Sequence, residues 1–207
     1  MKKESLAEIL LNSISHGFGA IFGIIFLVIL LLSCDSTVEV VGSVVFSSAV
    51  IFMFSMSTIF HSLVKTKAVA VFTRLDHCAI YLLIASTFVP FLLLAVNNAP
   101  DYLSITVLYV VAIIGIVFKA INPHKYERFH LALFLMMGWT ALLFVGDIYT
   151  YSAPAFYALL IGGVMYSIGV LFYAYFKFKF THFVWHNFVL LGLIFHSISI
   201  YFLVKAN

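Results

Sequence analysis

An all-α integral membrane bundle of seven transmembrane helices is predicted by three features of the chain. Charged residues make up only 9% of its 207 positions and hydrophobic ones 64%, against roughly 25% charge in a soluble domain. Seven long stretches contain no Asp, Glu, Lys or Arg. The few basic residues gather at alternate ends of those stretches. The composition excludes intrinsic disorder, which needs low hydrophobicity, and two cysteines are too few for a disulfide scaffold. The net charge of +3 is 11 basic minus 8 acidic residues. With no dense basic face, no nucleic-acid partner is expected.

The charge-free runs cover 9–34, 40–64, 77–100, 102–118, 129–146, 148–176 and 180–204. A helix crosses the hydrocarbon with roughly 17 to 25 apolar residues at about 1.5 Å each, so even the shortest run suffices. Trimmed of polar lead-in, the predicted spans are 14–34, 40–62, 76–97, 102–119, 129–146, 153–176 and 182–204, in one domain over 1–207. Span one is apolar on every side from Ile21 to Leu32, which excludes the polar–apolar alternation of a barrel strand. Its 26-residue run is too long for a signal-peptide core. Leu31, Leu32, Ser33 and Cys34 faintly resemble a lipoprotein cleavage box but come too late. Pro90 is expected to kink span three, and Gly162, Gly163 and Gly169 to allow close helix contact in span six. Cys34 and Cys78 fall at opposite membrane faces, so they are read as small packing residues rather than a disulfide.

Lys2 and Lys3 precede span one; Lys65, Lys67 and Arg74 join spans two and three; Lys119, Lys125 and Arg128 join four and five; Lys177 and Lys179 join six and seven. The opposite connections hold Asp35, Glu39, Asp101 and Asp147 and no basic residue. The positive-inside rule then predicts a cytoplasmic N-terminus and an extracytoplasmic C-terminus, in a multi-pass protein of the bacterial cell membrane.

Polar residues inside spans are costly and mark functional sites. His16 of span one, Ser57 and His61 ending span two, Asp76 and His77 opening span three, and His182 and His186 opening span seven all fall near the cytoplasmic face. His182 and His186, four residues apart, share a helix face with Cβ atoms about 5 to 6 Å apart, close enough to grip one metal ion. Alone, that pair reads equally well as interfacial histidines bonded to backbone or headgroups. His61 at the same depth shifts the balance to a metal. Three neutral imidazoles with a fourth position open describe a catalytic Zn²⁺ site, whereas Mg²⁺ and Ca²⁺ want several oxygens. Asp76 is positioned to orient or deprotonate a water there, and Ser57 to hydrogen-bond that water or a substrate oxygen. The competing readings are an Asp76 pair with Arg74 or Lys67 and ordinary packing for Ser57. His196, about 15 Å further along span seven, lies too far away to share the metal and reads as a cavity lining or an interhelical hydrogen bond. His124 and His130 read as solvated. His77 is rotated off the ligand direction. Glu8, Asn12 and His16 form a stripe that either joins the site or lies on the membrane surface.

These residues, in order, are Glu8, Asn12 and His16 as ExxxNxxxH; Ser57 to His61 as SxxxH; Leu75, Asp76 and His77 followed by Ala79 to Ala85 and Thr87 to Phe91; Gly162, Gly163, Tyr166, Gly169, Phe172 and Tyr173; and His182 to His186 as HxxxH with His196 behind. Over nearly its whole length the chain resembles the hemolysin III family, the bacterial branch of the progestin and adipoQ receptor superfamily. The resemblance implies a seven-helix bundle with its N-terminus inside, zinc on His61, His182 and His186, and Ser57 and Asp76 beside it. Phe183, Val184 and Asn187 depart from the usual surroundings of the HxxxH. Superfamily relatives are linked to hydrolysis of lipid amides such as ceramide, and the bacterial branch to haemolysis and membrane-lipid homeostasis.

Three functions compete on this reading. One is a zinc-dependent intramembrane hydrolase of a lipid amide or ester, with a membrane lipid as substrate. The second is a sensor or regulator that zinc merely stabilises, with the lipid as ligand. The third is a cytolytic pore, which the absence of a charged translocation stripe disfavours. A retinal protein would need a lysine deep in span seven, and 180–204 contains none.

Overall fold

The computed structural model describes residues 5–96 and 101–206; Lys2 and Lys3, part of the orientation argument, lie outside them. Seven helices, or helix pairs, are long and apolar enough to cross a membrane. They are α1 (Leu6–Leu31), α2 (Thr37–Ser62), α3 (Val69–Leu94), α4 (Tyr102–Ile121), α5 (Glu127–Trp139) continued by α6 (Val145–Tyr151), α7 (Ala153–Tyr175) and α8 (Thr181–Val204). Among the described residues there is no strand.

Local sequence fixes most helix starts. Ser5 with Glu8 and Ser36 with Glu39 form reciprocal capping boxes, each satisfying donors that the first helical turn leaves unpaired. Asp101 caps α4 by accepting from the Ser104 hydroxyl and N–H, bonds that hold its carboxyl below the usual range. Ser152 caps α7, with Pro following in its first turn. Helices α2 and α3 begin ahead of the charge-free runs, since a helix can carry charged residues in the interfacial layer before its apolar stretch begins. Glu39 therefore belongs to the first turn of α2 rather than to a loop.

Span one runs Leu6–Leu31 rather than 14–34, taking in the polar lead-in, and span five departs from expectation in kind. A 3₁₀ segment, Thr140–Phe144, interrupts it, and it ends at Tyr151 rather than 146. Asp147 thus lies within α6, not in a connection. The Thr140 hydroxyl donates back to the Met137 carbonyl at 2.6 Å, a local bond that competes with the α-helical ladder, and glycines at 138 and 146 weaken helix on both sides.

Helix α1 packs against α2 and α8, α2 against α3, and α7 against α8, while α4 leans on the outside of α3 and α5 touches α3 and α7 lightly. Lipid offers no hydrophobic drive between helices, so close approach does the work. The ring of Phe54 sits directly over Gly19, and Gly42 packs on Pro90, through which α3 runs as one helix. Gly162 and Gly169 receive His196 and Trp185 from α8, as the small residues of span six suggested. Ile21, Ile24, Ile25 and Val28 of α1 remain exposed, the apolar face expected toward lipid. Both cysteines are free.

Candidate metal centre

His61 projects from the last turn of α2, and His182 and His186 from the first two turns of α8. Ligand nitrogens of the three lie within 4.8 Å of one another, with His61 and His186 buried and His182 half-buried. Their ring centroids are 5.0, 4.8 and 4.6 Å apart. Ligands 2.1 Å from a tetrahedral ion are separated by roughly 3.4 Å, so small ring rotations close the triad on a cation. The three histidines could hold a metal ion.

The hydrogen bonds around the triad fit that role. The Ser15 hydroxyl donates to the Asn12 carbonyl at 3.0 Å, so its oxygen is free to accept from His186 Nδ1, 3.1 Å away. The same Nδ1 lies 3.2 Å from the Asn12 carbonyl, which can only accept. His186 therefore carries its hydrogen on Nδ1 and leaves the Nε2 lone pair for a ligand bond, the arrangement usual for a metal-bound imidazole. His61 Nδ1 is buried with no hydrogen-bond partner.

Charge balance points the same way. Asp76 is buried in α3, with His77 Nδ1 3.3 Å from its carboxylate and Ser57 and His61 among its close neighbours. Among the described residues no lysine or arginine pairs with it. Arg74 instead donates to the carbonyls of Ala120 and Ala70, and Lys67 is exposed. The alternative pairing expected for Asp76 is thereby overturned, because Arg74 reaches out to seal the end of α4. A buried carboxylate wants a positive partner, and a cation in the triad would supply one.

The stripe on α1 joins the site. Glu8 accepts from the Phe180 N–H at 3.3 Å, holding the left-handed turn (φ 66°) that starts α8 two residues before His182. Such a backbone is uncommon for a bulky residue and needs outside support. His16 stacks on His186 at 3.5 Å and shares a 2.7 Å hydrogen bond with Ser57 through Nδ1. Ser57 thus does more than pack. Asn12 participates through its backbone carbonyl, which no side-chain pattern discloses.

Two histidines divide. His124 is exposed as expected, but His130 is buried and shares a 2.5 Å hydrogen bond with the Tyr81 hydroxyl. Its position near a basic loop suggested solvent, whereas the fold lays α5 over α3 and covers it. Lys119 is also buried, its Nζ donating to the Pro123 carbonyl at 2.7 Å. His77 bonds the Thr73 carbonyl at 2.7 Å and stays outside the triad.

The triad opens into a cavity of about 330 Å³ between α2, α3, α5, α7 and α8. Its wall carries His61, Ser57, Asp76, His182 and His186 at one end, then Leu83, Phe88, Phe134, Val170 and Val189, then Tyr166 and His196. The volume falls in the range of ligand sites; the wall is mostly apolar, with Thr87, Glu127, His130, Ser167 and Tyr173 adding polar groups outside the triad.

The haemolysin-III related family profile matches residues 5–197. Hemolysin-3 of Bacillus cereus is 34% identical over 99% of this chain and 94% of its own length. The Hemolysin-3 homolog of Bacillus subtilis (strain 168) is 32% identical over 91% of this chain and 90% of its own. Seven membrane-crossing helices and a match spanning nearly the whole chain place this protein in the haemolysin-III related family.

Proposed function

We propose that this protein is a zinc-dependent intramembrane hydrolase of a lipid amide or ester, acting in membrane-lipid homeostasis from the bacterial cell membrane. The N-terminus and the metal centre face the cytoplasm on this reading, as the basic connections favour. The observation that carries it is that the three imidazoles stand in the wall of an apolar cavity rather than in a closed cage. A structural zinc site closes all four positions with protein ligands, while a catalytic one offers three.

His61, His182 and His186 would hold Zn²⁺, which suits all-imidazole ligation better than Mg²⁺ or Ca²⁺. When bound, zinc supplies Lewis acidity and makes water a nucleophile near neutral pH. The apolar walls take an acyl chain and exclude bulk water. Ser57, which shares a hydrogen bond with His16 and reaches Asp76, would turn its one hydroxyl hydrogen from Asp76 to the carbonyl oxygen as a substrate enters. Asp76 accepts the proton of the attacking water and returns it to the departing amine or alcohol, a role for which a buried carboxylate within reach of the site is suited.

The zinc-loaded protein in detergent should release fatty acid from at least one lipid in a panel of amides and esters. Asp76→Asn should cut the rate by about 10²- to 10⁴-fold while keeping zinc, and His61→Ala should lose both. Absence of release across the panel with zinc at one equivalent would sink the hydrolase.

One observation favours a second reading, a zinc clasp in a sensor. His61 belongs to α2 and its partners to α8, two helices joined mainly through α1 and α3, so a shared ion would tie them together. Under that reading chelation lowers the melting temperature, no lipid is turned over, and Asp76→Asn leaves cellular phenotype intact.

A further inference from the structure

Where α4 passes into α5 the cavity wall carries polar side chains that the proposed hydrolysis does not use. Lys119 lies in the last turn of α4, His124 in the connection, and Glu127 and His130 in the start of α5; all four line the cavity. His130 is buried, and its Nδ1 is taken by the Tyr81 hydroxyl. Tyr81 is wholly buried, and this is the one bond its hydroxyl makes among the described residues. A buried hydroxyl keeps its hydrogen satisfied by donating it, so His130 carries its own hydrogen on Nε2. That nitrogen bonds to no protein group, yet it is not among the unpaired nitrogens that are sealed from open space, as those of His16 and His196 are. His130 therefore offers the cavity a donor.

Lys119 beside it is only 2% exposed. One hydrogen of its ammonium goes to the Pro123 carbonyl at 2.7 Å. Among the described residues no carboxylate oxygen lies within 4 Å of the ammonium; Glu127, the carboxylate of this corner, accepts from the Tyr173 hydroxyl instead. A buried charge without a close counter-ion is costly, and two of its hydrogens remain to be donated. A phosphate answers both needs, since it brings negative charge and enough oxygens to accept from an ammonium and an imidazole at once. Beyond the corner the wall is apolar, with Leu83, Phe88, Val170 and Val189, which suits a lipid chain attached to that phosphate.

We infer that the α4–α5 corner of the cavity is a phosphate subsite, with Lys119 and His130 donating to the phosphate. This inference rests on the cavity and the unpaired donors, not on hydrolysis, and its test reads binding alone. Both tryptophans of the chain, Trp139 and Trp185, line the cavity, so their fluorescence reports occupancy. The full chain in detergent is titrated with oleoyl lysophosphatidate and with monoolein, which differ only in the phosphate. Wild type should bind the phosphate lipid about tenfold more tightly or better, the effect of one charge-assisted hydrogen bond. Lys119→Met, which keeps the buried stem and removes the charge, should bind monoolein as before and lose the preference. His130→Phe, which keeps a ring and removes the donor, should lose part of it. Lys125→Met, which removes an exposed charge of the same connection, should keep it. Inorganic phosphate at millimolar concentration separates the two sources of the group: if it abolishes the preference the subsite takes the free ion, and if it does not the subsite takes the headgroup. Equal affinity of wild type for the two lipids overturns the inference. So does a preference that survives in Lys119→Met, one that Lys125→Met reduces as much, or one that a chelator removes, which would put the phosphate on a metal at the triad. Should Lys119→Met fail to fold, His130→Phe and the wild-type comparison with and without chelator still decide.

Discussion

Along the most apolar stretch of α3, 61% of residues are buried inside the bundle; along the span made by α5 and α6, across the cavity, the share is 17%. The packed side, α1, α2, α3 and α8, carries the triad, the Asn12 carbonyl, Ser57 and Asp76, and its helices meet through glycines with large side chains pressed on them. On the open side nothing lies within 4 Å of where a side chain at Gly138 or Gly146 would begin, and a 3₁₀ segment breaks the span. Packing there is thinner, with Met137 and Phe134 set on Tyr81, Ala85 and Phe88, and three polar contacts add ties: Tyr81 with His130, Trp139 with Ser167, and Tyr173 with Glu127. One side is built to hold groups at fixed distances. The other combines a thinner apolar contact with a few polar bonds that can be broken and remade.

Metal removal tests the packed side most severely. A ligand at a thousand times its Kd stabilises the folded state by about 4 kcal/mol, so if the triad holds a metal ion, chelating it should lower the melting temperature in detergent by roughly 10 °C for a chain of this size. His61→Ala should melt at the chelated temperature from the outset and ignore the chelator. If the wild type also ignores it, the packing of α1, α2 and α8 is self-sufficient and the triad does not clasp them.

A smaller effect separates the two sides directly. A Cβ at Gly19 would lie 2.1 Å from the Phe54 ring, which is itself fully buried. Gly19→Ala should therefore cost about 1 to 3 kcal/mol through overpacking. Gly138→Ala meets no neighbour and should be neutral or stabilising by up to about 1 kcal/mol, the helix preference of Ala over Gly. Thermal unfolding of the two variants side by side measures the difference, and equal losses would erase the contrast between the sides.

The sequence discloses these two sides unequally. Spans and site histidines are legible because lipid forbids charge over long runs and because His182 and His186 repeat at helical spacing on one helix. The polar stripe of Glu8, Asn12 and His16 is also visible, but its purpose is not: His186 is oriented by the carbonyl of Asn12, and every residue has a carbonyl. Tyr81 and His130 meet across 49 positions, and nothing local to either announces the other. The break at Thr140–Phe144 escapes a reading that counts charges, because an interrupted span and a regular one can be equally apolar. Lys119 escapes for the opposite reason: its charge assigns it to a loop, while its stem is buried and its ammonium turns back to Pro123.

The smallest expected change in stability carries the most information about the open side. The Tyr173 hydroxyl donates to Glu127 at 2.9 Å, tying α7 to α5 at the cavity mouth, 5.9 Å between its ring and that of His182. The bond is exposed, so water competes for both partners and its net worth is about 1 kcal/mol or less. Tyr173→Phe removes it while leaving the ring against Trp185, and the melting temperature should fall by no more than about 4 °C. If the bond must open for a chain to pass between α5 and α7, the same energy appears in the barrier. Stopped-flow tryptophan fluorescence should then show stearate binding severalfold faster, with about fivefold as the ceiling set by about 1 kcal/mol. Glu127→Gln, which keeps an acceptor for the hydroxyl, should change the rate less. An unchanged rate in Tyr173→Phe would mean that chains reach the cavity by another route, and that the thin packing of α5 reflects exposure to lipid rather than a wall that moves.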